Sequence, residues 1–159
     1  MTDEELAATC IADEASNQPY EGKVAVGIVI LNRMAKKFES DGTVPGTVEK
    51  YMQFSGFWDD FVAGRYQVVV HGEVQEQMRA EHLHQEFSKQ PIWNDCVRAW
   101  LDAQAWAAGK PLSFTPGPQF HKLTKDTVLY YNPRIAKQPA WATLEKLDAV
   151  IFQHDFYHA

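Results

Sequence analysis

The apolar positions near the start of the chain recur with a helical period. Thr2 followed by Glu5 reads as a capping box, so a helix is predicted from Asp3. On it, Ala7, Cys10, Ile11 and Glu14 fall at i, i+3, i+4 and i+7, which is one helix face. The first three positions suit a core, and the fourth is an acid. A carboxyl group that points where a core stripe points is partly desolvated. Desolvation disfavours its charged form and raises its pKa. A carboxyl group protonated near neutral pH is what a general acid needs. The plain alternative is a glutamate at a fraying helix end, reaching solvent through the Ser16–Pro19 turn.

The next segment, Val24-Ala25-Val26-Gly27-Ile28-Val29-Ile30-Leu31, is apolar on every side. Its β-branched content would also suit a buried strand, and periodicity does not separate the two. Three features favour a helix. Beyond its first turn, which holds Gly22, the segment from Pro19 to Lys37 has no internal breaker except Gly27, and Pro19 suits a first helical turn. Arg33, Lys36 and Lys37 suit a helix C-terminus. A helix buried all round would be the spine of a small domain.

Asp41-Gly42 and Pro45-Gly46 mark Glu39–Gly46 as a loop, with a short helix following to Met52 and a turn at Gln53-Phe54-Ser55-Gly56. Tyr66–His71 reads as a short strand or the start of the next helix. Glu73–Lys89 is polar and helical, with Leu83 and Phe87 spaced i, i+4, and reads as a solvent-facing helix. From Pro91 a further helix is predicted. Trp93, Val97, Trp100 and Gln104 lie along one line of it, with Cys96, Ala103 and Ala107 beside them; this aromatic face should pack on the spine. Gly109 caps its C-terminus and Pro111 stops it. Gln119–His121 and Thr127–Tyr131 read as two strands of a β-hairpin around Leu123–Asp126, and Val150–Phe152 as a final strand. Alternation sends Val128 and Tyr130 to one face and Leu129 and Tyr131 to the other, so one tyrosine faces a cleft while the other packs inside. The fold class is α+β: a helical lobe with a small antiparallel sheet, in one domain over residues 1–159.

Composition narrows the partners. The chain is 45% hydrophobic and carries a net charge of −6. Phosphate binding needs clustered Lys and Arg, so nucleic acid is not expected as a partner. Five Trp, six Tyr and nine Phe are many for this length. Aromatics are core material first, but sugar clefts use them as stacking platforms; Tyr130, Tyr131 and Trp141 are the candidates. His82 and His84 point to different helix faces and make poor joint metal ligands with nearby His71, so no metal or other cofactor is expected. Cys10 and Cys96 read as two buried thiols, with a disulfide between them left open. The acidic start Met1-Thr2-Asp3-Glu4-Glu5 is not a signal peptide, and no apolar run reaches membrane-spanning length. Synthesis in the cytoplasm without membrane insertion, as a monomer, is the expectation.

Several ordered blocks carry a family resemblance. Glu14-Ala15, Glu21-Gly22-Lys23-Val24-Ala25-Val26 and Ile30-Leu31-Asn32-Arg33 resemble the opening motif of the SleB-type cell wall hydrolases, the spore-cortex-lytic enzymes and their bacterial and phage relatives. The likeness continues at Gln53-Phe54-Ser55 and at Leu129-Tyr130-Tyr131-Asn132-Pro133, then Trp141, and ends at His154 with Phe156-Tyr157. It departs at Ser16-Asn17-Gln18, where the family often has Gly-Glu, and at Asp126-Thr127, where it has Gly-Ala. Residues 57–91 have no counterpart. The resemblance implies a lysozyme-like fold, peptidoglycan glycan strands as substrate, and Glu14 as the catalytic acid. Gln53, Phe54, Ser55, Tyr130, Tyr131, Asn132 and Trp141 would bind the substrate. It also implies a lytic transglycosylase that cleaves the bond between N-acetylmuramic acid and N-acetylglucosamine with one acid/base. Asp13, Glu21, Asp59 and Asp60 lack a patterned apolar setting, so the residues themselves supply one strong acid where hydrolysis usually takes two. A hydrolytic muramidase, an N-acetylmuramoyl-L-alanine amidase and a non-catalytic wall-binding or virion module are the alternatives. A wall hydrolase without a signal peptide fits a holin-dependent phage lysin or a virion component.

Overall fold

The structure, a computed structural model, describes residues 1–50, 54 and 73–159, without the side chains of 73–79. Five α-helices are described: α1 (Asp3–Ala15), α2 (Tyr20–Lys36), α3 (Val44–Val48), α4 (Glu73–Phe87) and α5 (Trp93–Ala107). Three strands follow, β1 (Thr127–Tyr131), β2 (Leu147–Ile151) and β3 (His154–His158). The sheet has the order β1-β3-β2, with both pairs antiparallel.

The capping box forms as the sequence predicts. Thr2 Oγ1 accepts from the Glu5 amide at 3.1 Å, and Glu5 Oε2 accepts from the Thr2 amide at 2.8 Å. Leu6 to Ala12 are all buried, so α1 is a core helix on most sides. α2 is helical, and Val24 to Ile30 are buried without a break, as a spine requires. α2 packs most extensively on α5. Gly27 explains how closely: a Cβ added there would sit 2.8 Å from Ala103 Cβ and 3.4 Å from Ile11 Cδ1. The fully buried face of α5 holds Cys96, Ala99, Trp100 and Ala103; of the predicted line Trp100 is buried, Trp93 and Val97 are partly buried against the core, and Gln104 is exposed, as is Ala107 beside it. Small residues win at this crossing because they let the two backbones approach. Gly109, at φ +69°, ends α5 with the amides of Gly109 and Lys110 on the carbonyls of Trp106 (3.1 Å) and Ala105 (2.8 Å). Cys10 and Cys96 are both buried thiols, and burial pushes the Cys96 thiol up to about 11.

Four expectations are corrected. The helix expected to run to Met52 is the five-residue α3, ended at Val48. α4 is not solvent-facing all round: Ala80 and Leu83 are buried and the helix packs on α1. Gln119–His121 is no strand; Phe120–Lys122 forms a 3₁₀ turn that drives Phe120 into the core. The hairpin is instead β2–β3, and β1 pairs with β3. It turns through Phe152 and Gln153, with Phe152 at φ +53°. No Asn-Gly or Asp-Gly signals that turn, which hid the hairpin from the sequence. Gln18 holds it in place: its Nε2 donates to Gln153 Oε1 at 3.0 Å, and its Oε1 accepts from the Gln153 amide at 3.3 Å. The α1–α2 turn is thereby tied to the tip of the hairpin.

Candidate active site

The C-terminal turns of α1 and α2 both face the sheet. Glu14 lies in the last turn of α1 and is half-buried, while Ala7, Cys10 and Ile11 of the same stripe are fully buried. Tyr130, on β1, donates its hydroxyl to Glu14 Oε2 at 3.0 Å. Burial and then the negative charge of Glu14 raise the Tyr130 phenol well above its ordinary range, so it stays a proton donor at neutral pH. The Tyr130 ring lies 5.1 Å from the ring of His154 and 5.5 Å from that of Phe156. His154 is 6% exposed, and its Nδ1 is buried without a hydrogen-bond partner among the described residues. Burial lowers its pKa to about 4, which keeps the ring neutral.

α2 contributes the other side. Asn32 Nδ2 donates to the carbonyls of Thr124 and Thr127, both at 2.9 Å, and so fastens the entry of β1 to the helix. Arg33 Nε donates to the Val128 carbonyl at 2.7 Å. The sequence places Arg33 at the helix end as a partner of the dipole; the structure buries it to 4% exposure, against the sheet. The signal was present in the pattern. Val26, Val29, Ile30 and Arg33 repeat the i, i+3, i+4, i+7 spacing that singles out Glu14 on α1.

The remaining candidates divide. Phe54 is 2% exposed and lies under the Arg33 guanidinium, 4.9 Å from ring centroid to Cζ. It touches the site through Arg33. Gln53 and Ser55 lie outside the described residues, as do His71, Asp59 and Asp60. Tyr131 and Trp141 come together on the opposite face of the sheet from Tyr130, 5.9 Å apart, with Tyr157 6.0 Å and 5.4 Å from them. Burial, then Asp155 and Tyr131, push the Tyr157 phenol up to about 12. Asn132 Oδ1 accepts from the Arg134 amide at 2.9 Å and shapes its own loop. Of the other acids weighed, Glu21 holds the Gly117 amide at 2.8 Å. His82 is paired with Glu86 at 3.1 Å, and His84 packs its ring 5.3 Å from Trp93. Among the described residues, no group of three His, Cys, Asp or Glu side chains is placed to hold a metal ion. Cavities lie in the loop around Asp41 and Gly46 and between Leu31 and Trp106; Glu14 lines neither.

A family model described as cell wall hydrolase matches residues 17–157. The chain belongs to the cell wall hydrolase family. It is an enzyme that cleaves peptidoglycan. The matched span begins just past Glu14 and includes Asn32, Arg33, Tyr130 and His154. No curated protein shows significant similarity to the enzyme. Two solved structures do. One is the catalytic domain of the germination-specific lytic transglycosylase SleB from Bacillus anthracis, at 20% identity and a TM-score of 0.56, covering 98% of this chain and 93% of that one. The other is the catalytic domain of the Bacillus cereus SleB protein, at 21% identity and a TM-score of 0.57, covering 98% and 88%. Both share the α+β, lysozyme-like fold of the enzyme.

Proposed function

We propose that residues 1–159 form one catalytic domain that acts as a lytic transglycosylase, with Glu14 as its single acid/base. The observation that carries this reading is the Tyr130 hydroxyl at 3.0 Å from Glu14 Oε2. A half-buried carboxyl at a helix end, aligned by a phenol that does not ionise at neutral pH, is held in one orientation and stays reachable from solvent. Protonated Glu14 gives its proton to the glycosidic oxygen as that oxygen leaves C1 of N-acetylmuramic acid. The resulting carboxylate takes the proton from the C6 hydroxyl of the same sugar. The C6 oxygen attacks C1 and closes a 1,6-anhydro ring. One proton is lent and recovered, and no water is consumed. A solved catalytic domain of the same fold is described as a lytic transglycosylase, which makes this reaction the first to test.

Tyr131 and Trp141, with Tyr157, offer a second aromatic surface on the other face of the sheet, suited to stacking on a more distant sugar of the same strand. Gln53 and Ser55 are proposed as hydrogen-bonding partners of the substrate's acetamido or hydroxyl groups. The domain works as a monomer, and a phage lysin or virion component is the role proposed for it. Mass spectrometry of products from purified peptidoglycan tests the reaction. Anhydromuropeptides are expected. Reducing-end muramic acid would assign a hydrolytic muramidase, and free stem peptides an amidase.

A further inference from the structure

α1 and α2 each end their buried stripe on a charge, and the two charges have opposite sign. Arg33 is fixed on several sides. Its Nε is held by the Val128 carbonyl at 2.7 Å, and its Cζ lies 4.9 Å from the Phe54 ring centroid and 5.8 Å from that of Phe38. Among the described residues no carboxylate forms an ion pair with it, and its Nη1 is buried without a hydrogen-bond partner. A buried guanidinium so placed is costly, because desolvation penalises the charge and an arginine does not shed its proton. Holding the Val128 carbonyl takes one donor and not a full positive charge, so the charge is available for a further role.

Val128, which Arg33 holds, and Tyr130, which holds Glu14, are two residues apart on β1 and share its inner face. Among the described residues the titratable groups whose charge acts on Arg33 are Tyr130 on β1, Cys10 and Glu14 on α1, and Glu39 in the loop beyond α2. Glu39 is paired with Lys50 at 3.2 Å. Tyr130 and Cys10 stay protonated in the reaction proposed above. Glu14 is the one group of this set whose charge changes during turnover. We infer that Arg33 is a positioning residue for Glu14, a fixed cation that balances the carboxylate Glu14 becomes once it has given its proton to the leaving oxygen. The inference rests on the acid/base role proposed for Glu14. Arg33 has no contact with the sugar in this role. It lowers the energy of the state in which the proton has left, and it sets the pH above which Glu14 is no longer an acid.

The pH dependence of kcat/KM on purified peptidoglycan tests this, because its basic limb reports the essential acid of the free enzyme. Without the cation the Glu14 carboxylate is less favoured, so Arg33→Met should move that limb up by about one pH unit or more and lower the plateau rate. Arg33→Lys keeps the charge and should leave the limb where the wild type has it, at a reduced rate. A limb unchanged in a folded Arg33→Met variant overturns the inference. Should Arg33→Met fail to fold, Arg33→Lys decides: a limb at the wild-type pH supports the role, and a displaced one overturns it. Glu14→Gln measured alongside separates the two levels. If it retains full activity, the acid/base reading itself fails; if it is dead while Arg33→Met shows a wild-type profile, this inference alone fails.

Discussion

The two long faces of α2 are packed by opposite rules. Toward α5 and α1 the contact at Gly27 is made of Ala99, Ala103 and Ile11, all small or aliphatic. Toward β1 it is made of Asn32 and Arg33, which donate to the carbonyls of Thr124, Thr127 and Val128. The first seam obtains its stability from close approach and dispersion, which depend on shape alone. The second joins the sheet to the helices through directed donors and holds Glu14, Tyr130, Arg33 and His154 within it. A helix that met the sheet through apolar packing alone could not fix a proton donor in one orientation. The site therefore sits where the core gives up uniform packing and accepts buried polar groups.

If that division is right, the two seams respond to different measurements. The largest effect belongs to Glu14→Gln, which should reduce muropeptide release by about 10²–10⁴-fold or more while the thermal unfolding midpoint holds. A large loss of stability in that variant would mean that Glu14 belongs to the core.

Acid should open the site seam and spare the other. The folded-state pKa of His154, about 4, lies below its ordinary 6.5, so the unfolded chain takes up the proton first. The stability this provides is present above about pH 6.5 and is lost as the pH falls toward 4, roughly 3 kcal/mol in all. Denaturant titrations across that range should show the decline, and His154→Leu should flatten it. An unchanged slope in His154→Leu would assign the acid sensitivity elsewhere.

Overpacking should do the reverse. Gly27→Val places side-chain atoms where Ala103 already stands, and should cost about 1–3 kcal/mol of folding stability. Activity per folded molecule should be unchanged, and a drop in kcat would show that the two seams are coupled. The smallest effect is expected from Tyr130→Phe, which removes one hydrogen bond to a carboxylate. A loss of roughly tenfold in kcat with little change in melting temperature is the expected result.

Local chemistry is legible in the chain by itself. The capping box, the buried spine, the stripe that ends on Glu14, the Gly109 cap and strand β1 all follow from neighbours within a turn or two, because propensity, caps and periodicity are short-range physics. The face that α5 turns inward is legible in part: Cys96, Trp100 and Ala103 are picked out, but the exposure of Gln104 is decided by how near Gly27 lets two backbones come. Not legible is the β2–β3 hairpin, whose two-residue turn, Phe152-Gln153, carries no glycine. Arg33 shows the boundary best. Its spacing places it on a buried stripe, yet its charge suggests a helix end in solvent. Which of the two holds depends on a carbonyl of Val128 and a ring of Phe54, and those arrive only when sheet and helix meet.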